Sequence, residues 1–169
     1  MPNNEIIVNA GRFVILVFVQ VFLLNNINLG GYINPYVYIL FILLYPLNGN
    51  KSLLIFLSFL LGLSVDIFED SGGVHAAACA FIAYIRPVVL KYSFGISYEY
   101  NSVNLKKAAP IERFTYITSM AILHHFVMFT LEIFSFQHML LLLKSTLFSA
   151  FFTVILIFGS LIIFSKKSS

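Results

Sequence analysis

The stretch "GLSVDIFEDSGGVHAAACAFIAY", Gly62 to Tyr84, places Asp66, Glu69, Asp70 and His75 between two runs that otherwise read as hydrocarbon. Carboxylates and an imidazole held together can exchange protons, bind a cation or cap backbone amides. Asp66, Glu69 and Asp70 are spaced i, i+3 and i+4, so on a continuing helix they share one face. Asp66 is the informative residue, because it sits about one turn deeper than the others, where a carboxylate costs a few kcal/mol unless solvated or paired. Three readings stay open. The acids mark a solvated helix end; or Asp66 bonds a neighbouring helix or the N-terminal amides of the next one, whose positive dipole end faces this turn; or the acids and His75 form a ligand or metal site. The last reading needs further ligands at fixed spacing. Only Glu132 and His138 stand at the same level.

Outside this stretch the chemistry is sparse. His124 and His125 are adjacent, so on a helix they point about 100° apart and cannot chelate one metal as an i, i+4 pair does. At most one of them is expected to face a polar interior. Arg86-Pro87 predicts a kink that frees the carbonyl of Ala83, with Arg86 bonding freed carbonyls or snorkelling toward phosphates. Lys144 is a candidate partner for Glu132. Cys79 is the only cysteine and lies among Ala76, Ala77, Ala78 and Ala80, which with Gly62 form small surfaces for close helix packing. No phosphate-binding loop, HExxH or GxSxG is present. The residues therefore predict no enzyme, no cofactor and no metal.

The elements that must position these residues are membrane spans. The 169-residue chain is 60% hydrophobic with a mean hydropathy of +0.94, and only 10% of it is charged, against about a quarter in an ordinary soluble domain. Apolar blocks of about 20 residues predict transmembrane helices, not the short alternating strands of a barrel. Six are expected, over residues 6–24, 35–47, 52–68, 74–92, 111–134 and 139–164, as one transmembrane domain. Residues 35–47 are short for a span; they begin earlier, near Ile27, or form a short helix buried among the others. Ser71 is a possible N-cap of the fourth span. The N-terminal block carries Glu5 and lacks a cleavage site of small residues, so it is expected to be retained.

The net charge is +3, yet its basic residues lie singly or in pairs near span ends, a topology signal and not a nucleic-acid surface. With six spans and a cytoplasmic N-terminus, Arg12, Lys51, Arg86, Lys91, Lys106, Lys107, Arg113, Lys166 and Lys167 fall inside, and only Lys144 lies toward the outside. Both termini are then cytoplasmic. Lys106-Lys107, in the loop from Ser93 to Pro110, suits contact with anionic lipid.

The order "NPYVYILFILLYPL" (Asn34 to Leu47), a short loop, then "FLLGLSVDIFEDSGGVHAAACAFIAYIRP" (Phe59 to Pro87) resembles the rod shape-determining MreD family of the bacterial cell-elongation machinery. The matching positions are Gly62, Asp66, Gly72, Gly73, His75 and Ala76 to Ala78. This resemblance implies a non-enzymatic scaffold of the bacterial inner membrane that helps regulate cell shape and lateral peptidoglycan synthesis. It implies an MreC-like bitopic partner, met at the polar hairpin end and held by the small faces, with MreB, a RodA-type glycosyltransferase and a penicillin-binding transpeptidase nearby. The family's six-helix bundle is similar to the substrate-binding subunits of energy-coupling factor transporters. The alternative is such a vitamin-binding subunit, with Tyr32, Tyr36, Tyr38, Asp66, His75 and Glu132 lining its pocket.

Overall fold

The computed structural model describes residues 3–25, 27–28, 30–31, 33–47, 49–95, 108–134 and 138–165. Tyr32, Lys106, Lys107, Lys166 and Lys167 lie outside the described residues. Among the described residues six α-helices follow in order: α1 (Asn3–Val19), extended by a π-helical turn (Gln20–Leu24); α2 (Leu40–Leu44), entered through a 3-10 turn (Val37–Ile39); α3 (Lys51–Glu69); α4 (Val74–Phe94); α5 (Pro110–Ile133); and α6 (Met139–Ser165). Five stretches among the described residues are long and apolar enough to cross a membrane: Ile6–Leu24, α3, α4, α5 and Met139–Ile163. Large apolar side chains such as Ile7, Ile15, Phe56, Val88, Phe151 and Ile163 cover the outside of the bundle. So broad an apolar surface is compatible with lipid and not with water.

Residues 35–47 do not form a spanning helix. The regular part, Val37 to Leu44, rises only about 13 Å, less than half of the roughly 30 Å hydrocarbon core. Ile27 and Asn28 are not helical, so the element does not begin earlier. It is instead the centre of the molecule, with Tyr38, Ile39 and Ile42 wholly buried and Tyr36, Phe41, Leu43 and Tyr45 nearly so.

Contacts along this segment set the directions of its neighbours. Gln20 of the first helix bonds Pro35 and Val37, whereas Arg12, two turns earlier, reaches Leu44. The segment thus runs antiparallel to α1. His75, at the start of α4, meets Tyr38, and Arg86, three turns on, meets Leu43 and Tyr45. On α5 the order is reversed, Tyr116 meeting Leu43 and His124 meeting Tyr38. α6 passes Asn34 and Tyr36 with Ser149 and Thr153, and later stacks Phe158 on Phe114 of α5. The chain therefore shuttles between a hairpin end, marked by His75, and an arginine end, marked by Arg86. α1 starts and α6 finishes at the arginine end.

The closest pairing is α3 with α4. Gly62 permits it: a Cβ at this position would stand 2.3 Å from the His75 carbonyl oxygen and 2.6 Å from the Ala76 Cα. Ala76, Ala78 and Cys79 are buried, while Ala77 faces outward and Ala80 is half-buried. The small surface is used up inside the molecule, which leaves little of it for a partner's helix. α4 is a single helix through Pro87.

Candidate functional site

A broken, buried backbone leaves polar groups that neither lipid nor a regular helix can satisfy. Several are met here by side chains from surrounding helices. Near the hairpin end, Ser149 Oγ accepts from Asn34 N–H (3.1 Å), Thr153 Oγ1 from Tyr36 N–H (2.9 Å) and Gln20 Oε1 from Val37 N–H (2.9 Å). Gln20 Nε2 in turn donates to the Pro35 carbonyl (3.2 Å). The π-helical turn at Gln20 ends α1 at the level of this segment, and Gln20 is fully buried.

At the arginine end, the exposed carbonyls of α2 are the acceptors. Arg86 Nη2 donates to Tyr45 O (2.5 Å) and Leu43 O (3.4 Å), Arg12 Nη1 to Leu44 O (3.3 Å), and Tyr116 Oη to Leu43 O (3.3 Å). Arg86 Nε also donates to Tyr116 Oη (3.0 Å). Arg86 is only 4% exposed. Its charge is offset by carbonyls at a helix C-terminus, where the macrodipole favours a cation. The expectation that Arg86 bonds carbonyls freed by Pro87, or snorkels to phosphates, is thus corrected: its partners belong to another segment, which needs donors.

The acidic hairpin divides its labour. Asp66, 4% exposed, caps α4: Oδ1 accepts from His75 N–H (2.9 Å) and Oδ2 from Ala76 N–H (2.8 Å), while Ser71 Oγ donates to Oδ1 (2.5 Å). Of the three readings of Asp66, the contact with the amides of the following helix is the one observed. Ser71 is not the N-cap. Gly73 holds that position and has no side chain to offer, so a carboxylate from the preceding helix takes over the role. Asp70, Gly72 and Gly73 make the turn with φ of 55°, 67° and 94°, left-handed values that glycine adopts freely and Asp tolerates. Asp70 points to the outside.

Glu69 turns inward and begins a file of hydrogen bonds. Glu69 Oε2 lies 2.6 Å from His75 Nε2, His75 Nδ1 lies 2.7 Å from Tyr38 Oη, and Tyr38 Oη lies 2.9 Å from His124 Nε2. An ionised Glu69 only accepts, so His75 carries its proton on Nε2 and accepts the Tyr38 hydroxyl at Nδ1. Tyr38 then accepts from His124 Nε2–H. His124 Nδ1 is left buried without a partner. His125 belongs to a second file: its Nδ1–H donates to Ala121 O (2.7 Å), Nε2 accepts from Thr153 Oγ1 (3.1 Å), and Thr153 accepts from Tyr36 N–H. The ring of Tyr36 lies among the imidazoles, 5.1 Å from His75 and 5.5 Å from His125 between centroids.

Both histidines are fully buried, against the expectation that at most one faces a polar interior. The 100° between them points one at the broken segment and the other at α6, and both seams are polar. Among the described residues no group of three or more potential ligands could hold a metal ion. Lys144 is exposed, and Glu69 pairs with His75. Cys79 is buried with Sγ 3.9 Å from His124 Nε2. Gln20, Tyr116, Ser149 and Thr153 were not singled out by sequence reasoning. Their signal was polarity inside apolar runs, with Ser149 and Thr153 one helical turn apart in "SAFFT".

Two cavities lie outside the histidine files, one of them at the arginine end. A groove of about 890 Å³ between α5 and α6 is lined by apolar residues including Phe114, Ile122, Phe151 and Phe158. A small one of about 20 Å³, the size of one water, adjoins Tyr45, Lys51 and Arg86.

Fold and site together define an all-helical, multi-pass membrane protein built round a short broken segment whose backbone is held by buried polar side chains. No family model, curated protein or solved structure matches the chain.

Proposed function

We propose that the protein is a non-enzymatic scaffold of the bacterial cell-wall elongation complex, of the rod shape-determining MreD type. In this reading residues 33–47 complete a sixth crossing, the arginine end is cytoplasmic, and the protein resides in the inner membrane with both termini inside. The observation that carries it is the hairpin. Gly62, Asp66, Gly72, Gly73 and His75, whose order and spacing carry the resemblance, form one closed unit in which Gly62 backs onto His75 and Ala76 while Asp66 caps those same two residues. A motif that fixes the shape of a hairpin suits a protein whose product is an arrangement of partners.

The inferred partner is an MreC-like bitopic protein, with MreB, a RodA-type glycosyltransferase and a penicillin-binding transpeptidase in the same assembly. Asp66 is buried and committed to α4, so a partner at the hairpin end meets Asp70 and the outer side of Glu69. The vitamin-binding alternative has less support, because Tyr38, Asp66 and His75 are buried and bond protein groups.

The test is affinity purification in mild detergent, with mass spectrometry of co-eluting proteins and small molecules. The expected result is an MreC-like protein with no stoichiometric small molecule, and reduced recovery from Asp70→Lys. A bound vitamin or an ATPase module in its place refutes the scaffold reading in favour of the alternative.

A further inference from the structure

The file from Glu69 to His124 has a direction and two distinct ends. Its outer end is a carboxylate whose side chain is 20% exposed, beside a His75 side chain at 4%. Its inner end is His124 Nδ1, fully buried and without a partner. Between them every heavy-atom separation is 2.6 to 2.9 Å, and each intermediate group, imidazole or phenol, can accept a proton on one side while releasing one on the other.

We infer that Glu69, His75, Tyr38 and His124 form a proton relay that links the hairpin surface to the centre of the bundle. With Glu69 ionised, the protons sit on His75 Nε2, Tyr38 Oη and His124 Nε2, all directed toward Glu69. A proton added at His124 Nδ1 is balanced by three shifts: His124 Nε2–H breaks as a new Tyr38 O–H forms, the old Tyr38 O–H breaks as His75 Nδ1–H forms, and His75 Nε2–H breaks as Glu69 Oε2–H forms. The product is a neutral file with every hydrogen bond reversed, and Glu69 can release its proton to water. Run backward from that reversed file, in which His75 Nε2 is free to accept, protonation of Glu69 from the surface places the positive charge on His124. No oxidant, metal or other co-reactant enters.

The groups facing this file are Asp66 on α3, Cys79 on α4, Tyr36 on the broken segment, and His125 and Glu132 on α5; α1 and α6 contribute the neutral Gln20, Ser149 and Thr153. Asp66 is already engaged by two amides and a hydroxyl, and His125 is fixed by Ala121 and Thr153. Neither interrupts the file.

The relay is tested by nitrogen NMR of ¹⁵N-histidine-labelled full-length protein in lipid nanodiscs, stepped in pH, with Glu69 followed by ¹³C carboxyl shifts. At high pH His75 and His124 are expected as Nε2–H forms and His125 as the Nδ1–H form. As Glu69 takes up a proton, His124 is expected to change its form in the same step. In Tyr38→Phe, Glu69 still takes up its proton while His124 no longer changes form with it. A His124 signal that ignores the titration of Glu69, or follows it equally in Tyr38→Phe, overturns the inference. Should Tyr38→Phe not fold, Glu69→Gln, altered at the partly exposed end, replaces it: a His124 titration unchanged from the wild type overturns the relay, and its loss sustains it.

Discussion

Replacing Asp66 by Ala is expected to be among the most damaging single changes in the chain, by an amount that follows from its bonds. The carboxylate accepts from the His75 and Ala76 amides and from Ser71 Oγ. Both amides are in the first turn of α4, with no intrahelical acceptor. A hydrogen bond to a charged group contributes about 1.5–3 kcal/mol, and a buried donor left unsatisfied costs about 1–3 kcal/mol. Loss of an N-cap alone costs about 0.5–2 kcal/mol. These figures describe overlapping effects, so they do not add. Water can reach the amides from the turn at Ser71 to Gly73, which lowers the sum, and a total of about 2–4 kcal/mol is expected for Asp66→Ala. Asp66→Asn keeps one acceptor oxygen and should cost about half as much. Asp70→Asn, four residues away on the exposed side of the turn and still a residue that tolerates the left-handed backbone there, should stay within about 0.5 kcal/mol of the wild type. The assay is reversible unfolding in mixed detergent micelles, read by far-UV circular dichroism, with all three variants compared at one protein concentration. If Asp66→Ala and Asp70→Asn prove equally stable, the capping account of Asp66 is wrong.

Further outcomes follow from the same contacts. Gly62→Ala drives a Cβ into the backbone of α4 and should cost about 3 kcal/mol or more, beyond ordinary overpacking. Gly159→Ala, with nothing within 4 Å of the new methyl group, should be neutral or stabilise α6 by up to about 1 kcal/mol; equal thermal shifts for the pair would sink the close-approach argument. Thr153→Val keeps the shape but strands Tyr36 N–H and removes the donor to His125 Nε2, for an expected loss of about 1–3 kcal/mol; a change below about 0.5 kcal/mol contradicts that network. Arg86→Met leaves the carbonyl of Tyr45 without its donor and should loosen residues 37–45 selectively. Hydrogen exchange in nanodiscs should then speed up in that segment before it does in α3, and uniform acceleration would refute the assignment.

The spanning elements were legible in the sequence, because the hydrophobic requirement of a bilayer acts on each helix separately. Twenty consecutive apolar residues satisfy it without reference to any neighbour. The turns were legible for a similar reason: glycine at positions 72 and 73 and an Asp at 70 fit left-handed backbone locally. The spacing of Asp66 ahead of that turn was enough to suggest a contact with the amides of the next helix. It could not show that the same carboxylate would also exclude Ser71 from the cap.

Residues 35–47 needed the tertiary structure. Their composition is that of a short span, and nothing in "NPYVYILFILLYPL" says that its backbone will be broken and buried. That outcome depends on donors and acceptors supplied from far along the chain: Gln20, Arg86, Tyr116, Ser149 and Thr153. Each of these residues taken alone is a lone polar group in an apolar run, with no partner that its sequence position can name. Likewise, adjacency fixes only the angle between His124 and His125, and only the packing of α5 between the broken segment and α6 decides that both seams are polar. The sequence by itself determines which segments enter the membrane, since that choice is a balance between each segment and its solvent. Which polar groups meet inside is decided by assembly, because a hydrogen bond needs two atoms within about 3 Å, and no local rule brings Tyr38 to His75 and His124.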